Sequence, residues 1–321
     1  MIKFNFDFYS KRFLFIGISV AFILVGLIFG IVNGGMALDI QFEGGTHLEV
    51  PMREANLGTG DVEAYIRSEY GKNVTAQIQQ QYSPDAPDTQ TVQLIIKASK
   101  SDTFSTEQIN SLQEYLDTEY GLAEGERVNI HTVEPYIGNE MLRRGILAIV
   151  IASVLTLIYI WIRFSVMSGF IAAVCATLAL VHDAMIVFAI YSIFRIPLND
   201  LFIAAILTII GYSSNDTIVI YDRIRENSKG NKKMPYVELI NMSLNQTLSR
   251  SINTVASTML CIITVYVFAL IYNISSLQEF CFPLIIGMVA GSYSTLFIAT
   301  QVWAMWHQKL DGMKLAKQNA V

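Results

Sequence analysis

The sequence predicts a polytopic α-helical membrane protein, with six transmembrane helices and one extracytoplasmic α+β ferredoxin-like domain between helices 1 and 2. Three observations predict it. First, six apolar stretches lie at roughly 13–33, 143–163, 166–194, 199–221, 246–272 and 283–306. Each is near or above the ~20 residues a helix needs to cross ~30 Å of hydrocarbon. Second, residues 34–141 interrupt that pattern and carry 18 of the 27 acidic residues but only 6 of the 22 basic ones. Third, 53% of the 321 residues are hydrophobic, 15% are charged, and the mean hydropathy is +0.43, a balance no soluble domain needs.

The first stretch follows Lys3, Lys11 and Arg12. Its apolar core, Phe13 to Val32, exceeds the ~7–15 residues of a signal-peptide core, so an uncleaved helix is expected. Basic residues then set the orientation. Arg163 lies between spans two and three. Arg223, Arg225, Lys229, Lys232 and Lys233 lie between spans four and five, and Lys309, Lys314 and Lys317 follow span six. The opposite short loops offer only Arg195. Both termini are therefore expected in the cytoplasm. Arg143 and Arg144 run against the rule at one position. This places the acidic insert outside, where its charge suits a soluble surface and argues against nucleic-acid binding.

Within the insert, residues 37–50 alternate apolar and polar and read as a strand broken by Gly44-Gly45. Residues 61–70 read as a helix capped near Thr59, with Val62, Tyr65 and Ile66 on one face. Residues 74–82 and 91–98 read as strands around the turn-rich run from Ser83 to Asp88. Residues 105–120 read as a helix opening on Ser105 and ending at Gly121, and 127–136 as a last strand. The order contains a β-α-β-β-α-β unit, which names a fold and no activity. The loop 222–245 holds a short amphipathic helix from about Met234-Pro235-Tyr236, with Val237, Leu239, Ile240 and Leu244 apolar. It is expected on the membrane surface or against the bundle. The tail, 307–321, is short and basic.

Chemistry concentrates in the fourth span. Tyr212, Ser213, Ser214, Asn215, Asp216 and Thr217 run consecutively through an otherwise apolar segment. A carboxylate there costs roughly 2.5–3.5 kcal/mol on insertion scales, which makes it a functional candidate. Arg250, at matched depth in span five, is the natural ion-pair partner of Asp216, with Asn215 and Thr217 orienting the acid. His182-Asp183 lies mid-span in helix three and suits either helix packing or a relay; as neighbours on a helix the two point roughly 100° apart and need not share partners. Gly287 and Gly291 have the spacing of close helix contact. Cys175, Cys261 and Cys281 lie in or at the edges of spans, the insert has none, and the four histidines are scattered, so neither disulfide nor zinc site is expected. Asp183 and Asp216 differ in depth by on the order of 15 Å, too far for an intramembrane aspartyl protease. No phosphate loop or nucleophile–base arrangement appears, so no enzyme is expected and ATP use would belong to a partner.

These motifs carry a family resemblance over nearly the whole chain. Leu207-Thr208-Ile209-Ile210-Gly211-Tyr212-Ser213, Asn215-Asp216-Thr217-Ile218-Val219 and Asp222-Arg223-Ile224-Arg225-Glu226-Asn227 resemble the SecF family of protein-export membrane subunits, within the resistance-nodulation-division superfamily. Leu180 with His182-Asp183, Thr247-Leu248, Arg250-Ser251, Thr254, Gly287, Gly291, Tyr293-Ser294, and Phe42 with Gly44-Gly45-Thr46 also match. Two places depart: Gln41 stands where the family usually has Asp, with Asp39 two residues earlier, and Pro197-Leu198 precede Asn199 where Glu-Val is frequent. The resemblance implies six spans with one outer domain in the bacterial inner membrane, and partnership with SecD as a separate chain, the SecYEG channel and a translocating preprotein. It also implies an ion gradient, H⁺ or Na⁺, that drives ATP-independent late steps of translocation through Asp216 and Arg250, without a further cofactor. The alternative reading is a half-size exporter of small molecules or lipids; such exporters usually join two six-helix halves in one chain.

Overall fold

The computed structural model describes residues 6–52, 58–82, 90–99, 102, 104–122, 129–133, 135–165, 168–231 and 234–318. Lys3, the turn expected at 83–88, the start of the last expected strand at Arg127, and Lys232 and Lys233 lie outside these residues.

Among the described residues six helical stretches are long and apolar enough to cross a membrane. They are α1 (Arg12–Val32), α5 (Pro135–Arg163), α6 (Gly169–Phe194), α7 (Asp200–Gly230), α8 (Tyr236–Ile271), and the pair α9 (Ser275–Ser294) and α10 (Thr300–Gln318), joined by a π turn at Thr295–Ala299. The chain is thus a multi-pass membrane protein. Burial divides the six. The apolar windows of α6, α7 and the α9–α10 rod are 50%, 50% and 61% buried, against 11%, 6% and 6% for α1, α5 and α8. A three-helix centre is therefore flanked by three helices with broad outward faces.

Small residues let the centre close. At Gly287 of α9 a Cβ would overlap Ile209 of α7, and at Gly291 it would lie 3.0 Å from the Ser213 Cβ. Close packing replaces the hydrophobic drive that lipid does not supply. Gly26 of α1 is seated against Ala189 of α6 in the same manner, and the Ser192 hydroxyl donates to the Gly26 carbonyl at 3.0 Å.

The α+β domain lies between α1 and α5. Its elements are the one-turn α2 (Ile40–Glu43), β1 (Gly45–Met52), α3 (Thr59–Tyr70), β2 (Val74–Tyr82), β3 (Gln90–Ser99), α4 (Thr106–Tyr120) and β4 (Asn129–Val133). The sheet order is β2-β3-β1-β4, antiparallel throughout, which is the ferredoxin-like arrangement. Alternation puts Leu48, Val50, Leu94 and Ile96 on the face covered by Val62, Ile66, Leu112 and Leu116 of the two helices. Ser105 caps α4 with a full capping box to Gln108.

Three expectations change. Residues 37–44 do not continue β1. The Asp39 side chain accepts from the Gln41 N–H and caps α2, and Gly44 turns the chain at φ 84° before the sheet begins. Gly58, not Thr59, caps α3. The segment 222–245 is no separate loop: α7 runs on to Gly230, and α8 already begins at Tyr236. Leu239, Ile240 and Leu244 pack with Phe8, Tyr221 and Trp303 rather than on the membrane surface. Asn241 and Asn245 hold the Phe8 and Phe6 N–H groups at 3.0 and 2.8 Å, pinning the segment before α1 there. Polar composition ended the apolar pattern, yet nothing in it ended the helices.

Candidate functional site

Helix α7 starts where Asn199 accepts from the Phe202 N–H at 2.9 Å. Its polar run stays helical because hydroxyls bond back to the preceding turn: Ser214 to the Ile210 carbonyl, and Thr217 to the Ser213 carbonyl at 3.0 Å. The run then serves three directions. Ser213 donates to Asp183 Oδ2 of α6 at 2.6 Å. Thr217 meets the Thr295 hydroxyl in the π turn at 3.0 Å. Asp216 turns to α8, where Ser251 donates to its Oδ1 at 2.8 Å.

Asp216 is 7% exposed, and its second oxygen, Oδ2, is buried with no hydrogen-bond partner among the described residues. A buried carboxylate with one oxygen open retains capacity for a proton or cation. Arg250 does not close on it: no ion pair joins the two among the described residues. Successive residues on a helix point about 100° apart, and here Ser251 is the residue that faces α7. Arg250 is turned into a cleft of about 390 Å³ at the end of the bundle away from the α+β domain, with Asp222, Arg225, Glu226, Lys229 and Thr247. Arg163 of α5 and Arg225 both bond Asp222, at 3.1 and 2.9 Å. Among the described residues Arg250 thus makes no ion pair, while Asp222, Arg225 and Glu226 around it are paired.

His182 and Asp183 form a second polar centre. It lies nearer Asp216 in depth than the ~15 Å expected, since Asp183 meets α7 at Ser213, one turn of helix or about 5 Å from Asp216. Although adjacent on α6, they bond each other, Nδ1 to Oδ1 at 3.1 Å. Asp183 is 1% exposed, and with Ser213 both of its oxygens are engaged. Gly291 brings α9 to within 3.5 Å of Asp183 Oδ2, measured from where a Cβ would stand. Thr217 is buried beside this centre, whereas Asn215 points outward.

Ser251 escaped notice as a site residue, because a membrane helix satisfies a hydroxyl on its own carbonyls at little cost and no burial penalty marks it. The face around Arg250 and Asn215 was also missed. On α7, Ala204, Thr208, Gly211 and Asn215 are exposed; on α8, Arg250, Thr254, Ser257 and Cys261 are. Both sets repeat at i, i+4, i+7 and i+11, one stripe on each helix. Thr254 and Ser257 bond back to their own helix, at 2.9 Å each. Asn215, Asn253 and Arg250 make no such bond among the described residues, and an amide or guanidinium facing lipid is costly.

At the domain end of the bundle the two departures from the family pattern meet. The Asp39 N–H donates to the Leu198 carbonyl at 2.8 Å, the Leu198 N–H to the Ala37 carbonyl at 2.9 Å, and the Asp200 N–H to Gln41 Oε1 at 3.2 Å. Lys97 of β3 pairs with Asp39 at 2.9 Å and approaches Glu279 of α9 at 3.9 Å, while Asn199 donates to Glu279 at 2.6 Å. This joint fastens the α+β domain to α7 and α9. Among the described residues no three His, Cys, Asp or Glu side chains gather as metal ligands.

Comparison with known proteins agrees with this architecture. Residues 114–309 match the family model for the protein export membrane protein SecD/SecF, C-terminal. The chain is 34% identical to protein translocase subunit SecDF of Bacillus subtilis, over 98% of its own length and 39% of that protein. It is 40% identical to protein translocase subunit SecF of Alicyclobacillus acidocaldarius over 57% of this chain and 58% of that one. With SecF of Petrotoga mobilis the identity is 33% over 93% and 95%. The chain therefore spans less than two thirds of the first two relatives and nearly all of the third. A crystal structure of SecDF from Thermus, described as a translocon-associated membrane protein, superposes with a TM-score of 0.75 at 29% identity, over 95% of this chain and 39% of that one. On the family match and these identities, the chain belongs to the SecD/SecF family of protein-export membrane proteins.

Proposed function

We propose that this chain is the SecF subunit of a bacterial protein-export complex in the inner membrane, with both termini cytoplasmic. Together with SecD it uses a transmembrane H⁺ or Na⁺ gradient to drive late, ATP-independent movement of a preprotein leaving the SecYEG channel. The observation that carries this reading is Asp216: among the described residues it is a buried carboxylate with one oxygen held by Ser251 and the other open, beside an arginine in no ion pair.

Ion capture at Oδ2 changes the charge that Arg250 faces. One charge moved across the membrane potential is worth about 2.3 kcal/mol per 100 mV, comparable with a modest conformational gap. Rotation or tilt of α8 against α7 then reaches the domain through the Lys97–Asp39–Glu279 joint. The exposed stripes of α7 and α8 are the face on which SecD packs. Their polar residues need cover in a membrane, and in the Bacillus relative the matched part is 39% of a longer SecDF chain.

The test is gradient-dependent export in inverted vesicles containing SecD, comparing wild type with Asp216→Asn. Asn can still accept from Ser251 through its oxygen, so the fold is retained. The gradient-dependent component should fall at least 10-fold, and the ion whose gradient drives the wild type identifies the coupling cation. An unchanged rate sinks the proposal.

A further inference from the structure

The His182–Asp183 centre has a proton-accepting atom of its own. Ser213 donates to Asp183 Oδ2 and His182 Nδ1 lies 3.1 Å from Oδ1, so beside an ionised Asp183 the Nδ1 position carries the hydrogen. The neutral ring then holds its lone pair on Nε2. That atom is buried and makes no hydrogen bond among the described residues, and the His182 side chain is 6% exposed. It lines a cavity of about 430 Å³ between α1, α6 and α9, with Ser19, Phe22, Ile186, Ile286 and Tyr293.

We propose that His182, oriented by Asp183 and Ser213, is a second buried cation site, between α1, α6 and α9, that its ligand is a proton, and that the proton is taken at Nε2. Two arguments fix the ligand's class. With a neutral ring and Asp183 ionised, the cluster would carry one uncompensated negative charge inside the bundle, and one proton on Nε2 would bring it to zero. A metal cation has no purchase there: both carboxylate oxygens are engaged, and apart from the Ser19 and Tyr293 hydroxyls, which bond each other and α1, the cavity wall is aliphatic and aromatic. The groups that face the imidazole are Asp183 from α6, Ser213 from α7, Tyr293 from α9 and Ser19 from α1; Asp216 faces α8 instead.

The protonated ring has a mechanical outlet. Tyr293 stacks on His182 with centroids 6.0 Å apart and an interplanar angle of 26°, so an imidazolium draws on the phenol's π face. The Tyr293 hydroxyl donates to the Phe15 carbonyl at 2.7 Å and accepts from Ser19 at 3.2 Å. Both partners belong to α1, the helix that leads into the α+β domain. Proton uptake at Nε2 therefore acts on the seat of α1, independently of whether Asp216 couples export.

The experiment is ¹⁵N-histidine NMR of the full chain in lipid nanodiscs, with His47, His131 and His307 replaced by Gln so that His182 alone reports. The expected result is uptake of one proton at Nε2 with pH, unchanged when Na⁺ replaces K⁺, kept in Asp216→Asn and altered in Asp183→Asn. Ser213→Ala, which removes only a hydroxyl, gives the same readout if Asp183→Asn does not fold. The proposal is overturned if His182 keeps one protonation state over the pH range in which the chain stays folded, if Na⁺ competes with the proton, or if Asp216→Asn abolishes the titration. Because export is not measured, failure here is distinct from failure of the Asp216 reading.

Discussion

Two buried carboxylates meet on α7, and their oxygens are treated differently. Asp183 reaches it from α6 and has both oxygens engaged, by His182 and Ser213. Asp216 belongs to α7 itself and has one oxygen engaged, by Ser251. Satisfying both oxygens fixes a carboxylate and the helices around it, and in the first centre passes the capacity for a proton on to His182. Leaving one open keeps that capacity on the acid, at the expense of local stability. The difference teaches that burial alone does not tell the two acids apart; the count of engaged oxygens does, and under the proposed coupling role of Asp216 it separates a brace from a switch.

The sharpest way to break this contrast is to remove each carboxylate and measure unfolding in detergent. Asp183→Ala strands the Ser213 hydroxyl and the His182 Nδ1–H in the most tightly closed part of the bundle. It should lower stability by about 3 kcal/mol, the scale for one partner lost from a buried pair. Asp216→Ala strands only the Ser251 hydroxyl, which can bond back to its own helix, and also removes a charge that was half unsatisfied. Its cost should be below about 1 kcal/mol. Equal losses would mean that the two acids are both braces. Export should respond in the opposite sense, with Asp216 the more sensitive per unit of stability lost.

How much of this was legible in the sequence follows from the range of each interaction. The six spans and the β-α-β-β-α-β order come from local periodicity, and the Ser105 cap from a four-residue signature; the structure has all three. Asp216 was visible because a lone acid in an apolar segment is expensive wherever its partners lie. Its partner was not. Ser251 and Arg250 are adjacent, so depth fits both, and only the rotation of α8, set by packing against α9 and α7, decides which faces the acid. The His182–Asp183 bond was missed for a related reason: a 100° separation of Cα directions does not stop an imidazole and a carboxylate from bending towards each other. The end of α7 is expected too early and the start of α8 too late, because polarity marks where a membrane ends, not where a helix does.

The middle-sized effect tests the Ser251 bond. Ser251→Ala leaves Asp216 buried with neither oxygen engaged, whereas Ser251→Thr restores the donor. If the single bond positions the acid, gradient-dependent export should drop about 10-fold in the Ala variant, in line with about 1.5 kcal/mol for one hydrogen bond to a charged group. The Thr variant should recover most of it. Indifference to both would place the working geometry of Asp216 elsewhere, with Arg250 as its holder.

The smallest effect concerns how either centre reaches the α+β domain. Lys97, Asp39, Asn199 and Glu279 lie far apart in sequence, so no local pattern announces their joint. Lys97 is 19% exposed and Asp39 4%, so the pair is screened only in part. Lys97→Gln should lower the stability of the whole chain by about 1 kcal/mol or less, because the backbone bonds between Asp39, Leu198 and Ala37 remain. Its effect should appear instead as coupling. With the joint loosened, hydrogen exchange at Asp39 and Gln41 should quicken, while amides in the middle of α7 keep their protection. If exchange rises along α7 as well, the joint stabilises the bundle rather than transmitting from it, and the domain must be moved through α1 and the Tyr293–Phe15 contact.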